Sequence, residues 1–354
     1  LYSQRELVSK LQEQQIEQKL SAALHKKAVI DYQSIRELKS TQRSSIYQIL
    51  LQLDSDELPV IFKIYHSKKY KNEIEVNIYS EASLFLQEFL PEIYLIEKHG
   101  KETWVFMEFV RQIRGQLTFT PKHFDSIIPT IAKLHAHTFE ENFHQHQKTF
   151  SPWLPLYQSQ DMKASREKFI ANTIQFLDQS QGKESLSKVI QPHFQSLKHI
   201  YENEGPDFFP ELLECGSCIT HGDLHLQNIC SHNTAKAGPW DIQLIDWESA
   251  KFSPPWFDMV VLVELLIGFR LDWQRHAEEI RTRTVQLYTN EIKKYGIHFQ
   301  TKPMQLYKMA YLQRTLEKGL HTQLRRIFDN RGGELLSYHL EKVSTWGSEL
   351  GIYK

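Results

Sequence analysis

Between Tyr2 and Leu24 apolar residues recur at Leu7, Leu11, Ile16, Leu20 and Leu24, near helical spacing, with no Pro or Gly to interrupt them. That pattern predicts a helical segment. The period then shortens. Ile46–Leu53 and Leu58–Tyr65 read as strands, and Asp54-Ser55-Asp56 between them supplies turn residues, so the pair predicts a hairpin. Residues 73–90 return to a helical stripe of Ile74, Ile78, Ala82, Phe85 and Phe89. Trp104–Val110 is an apolar strand that ends in charge, and Arg111–Gly115 turns polar. Beyond it the pattern is mainly helical, over Phe124–Phe139, Met162–Asp178, Leu186–Asn203, Val260–Phe269, Trp273–Tyr295 and Met304–Arg326. Gly205-Pro206 and Pro210 punctuate the interval before a short strand at Cys218-Ile219-Thr220. The expectation is an α+β chain of two lobes: a small strand-rich one over residues 1–110, and a larger helical one over residues 111–354.

Length and composition agree with two lobes. A chain of 354 residues exceeds a typical single domain, and 41% hydrophobic content can fill a sizeable core. A net charge of −1 leaves no basic footprint for nucleic acid and no electrostatic reason to sit on an anionic membrane. The longest apolar stretch, Met259–Phe269, is interrupted by Glu264 and is too short to span a bilayer. Leu1–Leu24, rich in Gln, Glu and Lys, does not resemble a signal peptide, although the chain lacks an initial Met, which points to a trimmed start. Three cysteines cannot build a disulfide framework, so a reducing cytoplasm is expected. Cys215-Gly-Ser-Cys218 lacks the further ligands a zinc site needs. His137, His144 and His146 read as a solvated helix end rather than a metal cluster. Neither G-x-x-x-x-G-K-[ST] nor G-x-G-x-x-G occurs, which argues against P-loop and dinucleotide chemistry.

The chemistry concentrates in His221-Gly222-Asp223-Leu224-His225-Leu226-Gln227-Asn228, followed eighteen residues past Asn228 by Asp246 in Leu244-Ile245-Asp246-Trp247-Glu248. Phosphoryl transfer needs a base that orients a hydroxyl for in-line attack, and Mg²⁺ to neutralise phosphate oxygens. Asp223 is placed to accept the hydroxyl proton. Asn228 offers an amide oxygen and Asp246 a carboxylate, hard donors of the kind Mg²⁺ takes in small number because it keeps water and phosphate. Ile229-Cys230, a polar turn at Asn233–Pro239 and Asp241–Ile245 predict two short strands that bring Asp246 back to the level of Asn228. In Pro59–Tyr65 a lysine, Lys63, interrupts an apolar strand; a buried ammonium needs a partner. Glu75 and Glu81 both lie at the edges of the following helical stripe, so periodicity does not choose between them.

The run HGDLHLQN with LIDWE after it resembles the aminoglycoside phosphotransferase and choline kinase superfamily, which is similar to protein kinases in fold. Asp223, Asn228 and Asp246 match its H-G/N-D-x-x-x-x-N and single-Asp motifs, and Asp258 matches a further Asp that braces the catalytic loop with His221. The strong match covers residues 221–258, and weaker matches extend over about residues 40–260. The resemblance implies a bilobal protein-kinase-like fold, with an antiparallel sheet in the small lobe and a helical larger lobe. It also implies ATP or GTP with Mg²⁺ as cofactors, and a small-molecule acceptor bound between the catalytic loop and the C-terminal helices. It makes Lys63 the nucleotide lysine and favours Glu81 as its partner, with Glu75 the runner-up. It places the hinge at Glu108 and Val110, whose main-chain groups would pair with adenine, and makes His135 a packed structural histidine. The chain departs from the pattern at Lys39–Ile46, which has no glycine for a phosphate loop. Relatives with a Ser-containing hairpin make Ser44 and Ser45 the phosphate contacts there. Glu248, Glu264, Asp272, Trp256 and Trp273 are candidates to hold a cationic amine or a sugar. The alternative reading is a catalytically inactive binding or scaffold protein of the same fold.

Overall fold

A computed structural model of the chain describes residues 2–54, 56–66 and 70–354. Its backbone clusters into two compact units. The first comprises Leu1–Phe119, Lys148–Trp153 and Leu226–Ser249, and the second Thr120–Gln147, Leu154–His225 and Ala250–Lys354. The expected single boundary at 110/111 is therefore replaced by a discontinuous partition. The hairpin that follows the H-G-D segment groups with the N-terminal sheet.

The first unit is built on one antiparallel sheet. Its strands are β1 Ala28–Ser40, β2 Ser44–Leu53, β3 Asp56–Tyr65, β4 Ile93–His99 and β5 Glu102–Glu108, in the order β1-β2-β3-β5-β4. The predicted hairpin is β2–β3, with Tyr47 opposite Phe62 and Ile49 opposite Val60. Ser55 of its expected turn lies outside the described residues. Period-two alternation sends Val60, Phe62 and Ile64 to one face, where Phe62 stacks on Phe106 at 4.3 Å and meets Trp104 edge-on at 5.3 Å. Helices α1 Gln4–Glu13 and α2 Ile16–Leu24 share this core through Leu7, Leu11, Ile16 and Leu20.

The N-terminal pattern predicted one helix, and the structure breaks it at Gln15, whose φ is +52°. The apolar spacing explains the break. Leu11 to Ile16 is a step of five, which an uninterrupted helix would rotate off the core, and the left-handed residue resets the stripe. A capping box of Ser3 and Glu6 starts α1. Strand β1 was not anticipated, because it is an edge strand with register shifts at Asp31/Arg36 and Glu37/Lys39, and these break the alternation.

The second unit is mainly helical. Phe124–His137, Gln160–Ser180, Trp256–Phe269 and Ala277–Lys293 are its long helices, and a last helix, Leu336–Glu349, was not anticipated. The predicted Met304–Arg326 helix is observed as Pro303–Arg314, a π-helical turn over Thr315–Gly319, and Leu320–Phe328. A two-stranded ribbon pairs Cys218–Thr220 with Lys251–Ser253. It delivers the chain into the H-G-D segment. Among the described residues no helix is long and apolar enough to cross a membrane.

Candidate functional site

The residues singled out by the sequence fall into two clusters, one in each unit. In the first unit the face of β3 opposite Phe62 carries Lys63. Its Nζ lies 2.7 Å from Glu75 Oε2, and Tyr79 donates to Glu75 Oε1 at 3.0 Å. Lys63 and Glu75 are both buried, and the ammonium also lies 4.8 Å from the centre of the Tyr65 ring. The partner of Lys63 is thus Glu75 and not Glu81, which is exposed. The reason is where the helix ends. Helix α3, Tyr70–Ser80, stops ten residues short of the predicted stripe, and the main-chain N–H groups of Glu81 and Ala82 both turn back to Asn77 O. Glu75 and Tyr79, four apart, share the face that meets the sheet. Ala82, Leu86 and Phe89 are still buried, so tight turns satisfy the apolar pattern read as helix.

Asp246 belongs to the same cluster. Burial chiefly, and then the charge of Glu75 and more weakly that of Asp246, push the Tyr65 phenol well above its ordinary pKa; Tyr79 is raised by burial and the same two carboxylates, against a smaller opposing pull from the Asp246 main chain. The expected hairpin positions Asp246. Ile229–Cys230 pairs with Gln243–Leu244, and Ile245 N donates to Asn228 O at 3.1 Å, so Asn228 and Asp246 sit one residue apart across a ladder. Asp246 has φ +64°, a left-handed conformation that Asp tolerates better than most residues. The donor set fits Mg²⁺ chemically, with one amide oxygen and one carboxylate, both hard. Among the described residues no group of three His, Cys, Asp or Glu side chains is arranged to hold a metal.

The remaining first-unit candidates are placed as follows. Ser44 and Ser45 begin β2, and the loop proper is Thr41-Gln42-Arg43, closed by Thr41 N to Ser44 O at 2.9 Å. Ser45 is fully buried, with its hydroxyl 2.8 Å from both Ser40 Oγ and His66 Nε2, so that side chain is held inside the sheet rather than at the loop tip. Arg43, at the tip, pairs with Glu248 at 2.9 Å. Glu108 ends β5. Its carboxylate lies 3.0 Å from His232 Nε2 and accepts from Gln243 Nε2 at 2.9 Å and Glu92 N at 3.1 Å, and its own N–H donates to Glu92 O. Val110 follows, half-buried and outside any regular element.

In the second unit the cluster is centred on Asp258, in the first turn of Trp256–Phe269. Asp258 is fully buried; it accepts from His221 N at 2.7 Å and Gly222 N at 2.8 Å, and lies 3.2 Å from His135 Nε2. Burial pushes its pKa up, but the His135 hydrogen bond and charge, the His221 charge and the Gly222 N–H outweigh that and hold it below the ordinary aspartate range. His135 is fixed on its other side by the Tyr288 hydroxyl at 2.8 Å, as a packed histidine should be. Gly222 has φ +82°, which explains the glycine: a side chain there would be strained. The carboxylate thus pins two successive main-chain N–H groups just before Asp223. Asp223 is half-buried, and its Oδ2 lies 3.4 Å from His225 Nε2. That hydrogen bond is the main cause holding its pKa below the usual carboxylate range, so Asp223 is ionised at neutral pH.

Several sequence candidates are occupied elsewhere. Buried Glu264 accepts from Arg281 at 2.7 and 3.0 Å and from the Tyr307 and Tyr338 hydroxyls, each at 2.6 Å. Trp256 and Trp273 are buried, and Asp272 pairs with Arg270 at 2.6 Å. Burial pushes the Cys215 and Cys230 thiols up to about 12, and pushes Cys218 well above its ordinary value too, so none is a thiolate. Sequence reasoning passed over Lys251 and Arg314, which flank the H-G-D segment. Arg314 donates to Gly222 O at 3.2 Å, and no local motif signals it.

The sequence profile of the ecdysteroid kinase-like family matches residues 58–296. No curated protein matches the chain. Among solved structures, the chain is similar to a choline kinase from Cryptosporidium parvum, with 15% identity, 90% of each chain covered and a TM-score of 0.54. It is also similar to an ethanolamine kinase from Plasmodium vivax, with 14% identity, 90% of this chain and 84% of that one covered and a TM-score of 0.52. A spectinomycin phosphotransferase solved with ADP and its antibiotic has 14% identity, 93% and 98% coverage and a TM-score of 0.52. At these identities the likeness is one of fold.

Proposed function

Because the chain belongs to the ecdysteroid kinase-like family, whose fold is that of the small-molecule kinases, we propose that it transfers the γ-phosphoryl group of ATP to a hydroxyl of a small molecule. The observation that carries this reading is the catalytic loop. Asp258 holds the His221 and Gly222 N–H groups, and Asp223 next to them is ionised and half-buried. A carboxylate fixed in this way can orient an alcohol and take its proton as the O–P bond forms. Lys63, oriented by Glu75 and Tyr79, is the residue for the non-transferred phosphates. Asn228 and Asp246 would hold Mg²⁺, which when bound supplies charge neutralisation at the phosphate oxygens. Main-chain groups of the Glu108–Val110 segment are assigned to the nucleotide base, and those of the Thr41–Ser44 turn to phosphate. ATP is the nucleotide we favour, with GTP the comparison to run beside it, and the cytoplasm is the compartment.

The acceptor we favour is a neutral alcohol. A cationic amine would need an available carboxylate, and Glu264 and Asp272 already have cationic partners. The family's name makes an ecdysteroid the first member of the panel. The experiment is ATP consumption with Mg²⁺ across an ecdysteroid, choline, ethanolamine and aminosugars, in wild type and Asp223→Asn. We expect turnover on one neutral alcohol and a loss in kcat of roughly 10²–10⁴ in the variant at unchanged thermal stability. Equal turnover by both proteins would sink the assignment of Asp223. A wild-type protein that binds Mg-ATP but turns over nothing in the panel would favour a binding protein of kinase fold.

A further inference from the structure

Two cations flank the H-G-D segment of the second unit, and no carboxylate among the described residues forms an ion pair with either. Lys251 lies directly across the ribbon from Thr220, the residue before His221, and its main-chain oxygen accepts from Thr220 Oγ1 at 3.2 Å. Arg314 reaches the same segment from the end of its helix and donates to Gly222 O at 3.2 Å. Both side chains are half-buried, and Lys318, one turn beyond Arg314, is exposed. The carboxylates in the neighbourhood are committed to other donors. Glu317 takes the Tyr157 hydroxyl at 2.5 Å and Gln313 Nε2 at 3.4 Å, and Asp258 takes His221 N, Gly222 N and His135.

This arrangement works against its own lysine. Burial first, and then the charges of Arg314 and Lys318, lower the Lys251 pKa to about 8, although Glu317 and Asp258 pull the other way. Two like charges brought into a partly desolvated site repel by several kcal/mol at an effective dielectric of about 20 if they approach to ~4 Å, and less in proportion at longer range. A second feature marks the same place. Arg314 is followed at once by the π-helical turn Thr315–Gly319, which carries Glu317 and Lys318. Such turns are uncommon and recur at functional sites. The Arg314 charge also reaches Asp223, where it adds a small lowering of the carboxyl pKa to the larger effect of His225.

We propose that Lys251 and Arg314 form an oxyanion site beside Asp223 that binds a phosphate-like group during the reaction. The proposal rests on the kinase reading above for its meaning. The anion has two possible sources, the phosphoryl group in transfer or an anionic group already on the acceptor. The chemistry is the same in both cases: guanidinium and ammonium donors presented to tetrahedral oxygens.

The test titrates inorganic phosphate, and separately sulfate, into the full chain without nucleotide, by calorimetry and ³¹P line broadening. Wild type should bind phosphate. Lys251→Met should weaken binding tenfold or more, and Lys251→Arg should stay within about threefold of wild type. Arg314→Gln repeats the test from a different element should Lys251→Met not fold, and far-ultraviolet circular dichroism checks each protein. Equal phosphate affinity in wild type, Lys251→Met and Arg314→Gln, or no binding by wild type, overturns the proposal. The source is read with the acceptor identified in the panel. Lower kcat in Lys251→Met assigns the anion to the phosphoryl group, and a higher KM for acceptor assigns it to the acceptor. The kinase reading fails separately, through a wild-type protein that Mg-ATP neither stabilises nor reacts with while phosphate binding persists.

Discussion

Replacing Asp258 tests what holds the H-G-D loop in place, and needs no substrate. The side chain is fully buried and meets three donors, at 2.7, 2.8 and 3.2 Å. Hydrogen bonds to a charged group contribute about 1.5–3 kcal/mol each, and a buried donor that loses its acceptor costs about 1–3 kcal/mol. Asparagine keeps one oxygen in place but turns an NH₂ toward a second donor, so at least one of the His221 or Gly222 N–H groups is left without an acceptor. The expected loss for Asp258→Asn is about 2–4 kcal/mol. For Asp258→Ala, which deserts all three donors, it is about 3–5 kcal/mol or more. Urea unfolding followed by tryptophan fluorescence reads this as a midpoint lowered by on the order of 1 M. The pH dependence gives an independent check. The native pKa of Asp258 lies below the ordinary aspartate value, so its stabilisation is present above that value and is lost as pH falls through the native one. Wild type should therefore lose stability into acid more steeply than Asp258→Asn. An Asp258→Asn protein with a wild-type midpoint and a wild-type acid limb would refute the argument that this carboxylate pins the loop.

Three further outcomes follow from other clusters. Glu75→Gln leaves the buried Lys63 ammonium without its countercharge and should destabilise by about 3–5 kcal/mol, whereas Lys63→Met with Glu75→Gln should cost clearly less than the sum of the singles, as a double-mutant cycle by urea titration measures. Glu264→Gln weakens the bidentate contact to buried Arg281 and should lower stability by at least 2 kcal/mol in the same assay; a neutral result would mean that Arg281 is satisfied without it. Burial lowers the His339 pKa to about 4, against a smaller opposing pull from the Glu264 charge. Its native state is therefore neutral, and its stabilising contribution is full above the ordinary value of about 6.5. That contribution is lost as pH falls toward about 4, by on the order of 3 kcal/mol in total. His339→Gln should flatten the stability profile between those limits, and an unchanged slope there would show that the native imidazole titrates normally.

The sequence by itself determined whatever depends on neighbours along the chain. The Asp223–Asn228 spacing, the hairpin that returns Asp246, the glycine at φ +82° and the alternation that puts Lys63 on the face opposite Phe62 are all local, and the backbone geometry converts them directly into positions. Asp258 could be singled out only through resemblance, since nothing local says that a carboxylate thirty-odd residues on will accept the loop's N–H groups. Tertiary structure decided what depends on which surfaces meet. Glu75 rather than Glu81 faces Lys63 because α3 stops at Ser80. Ser45 is drawn into the sheet by Ser40 and His66. Glu264 is consumed by Arg281 and two tyrosines that lie up to 74 residues away. The edge strand β1 escaped notice because its bulges break the alternation. Lys251 and Arg314 escaped it for the same physical reason as the others: partners far apart in sequence are joined by packing, and packing leaves no spacing to read.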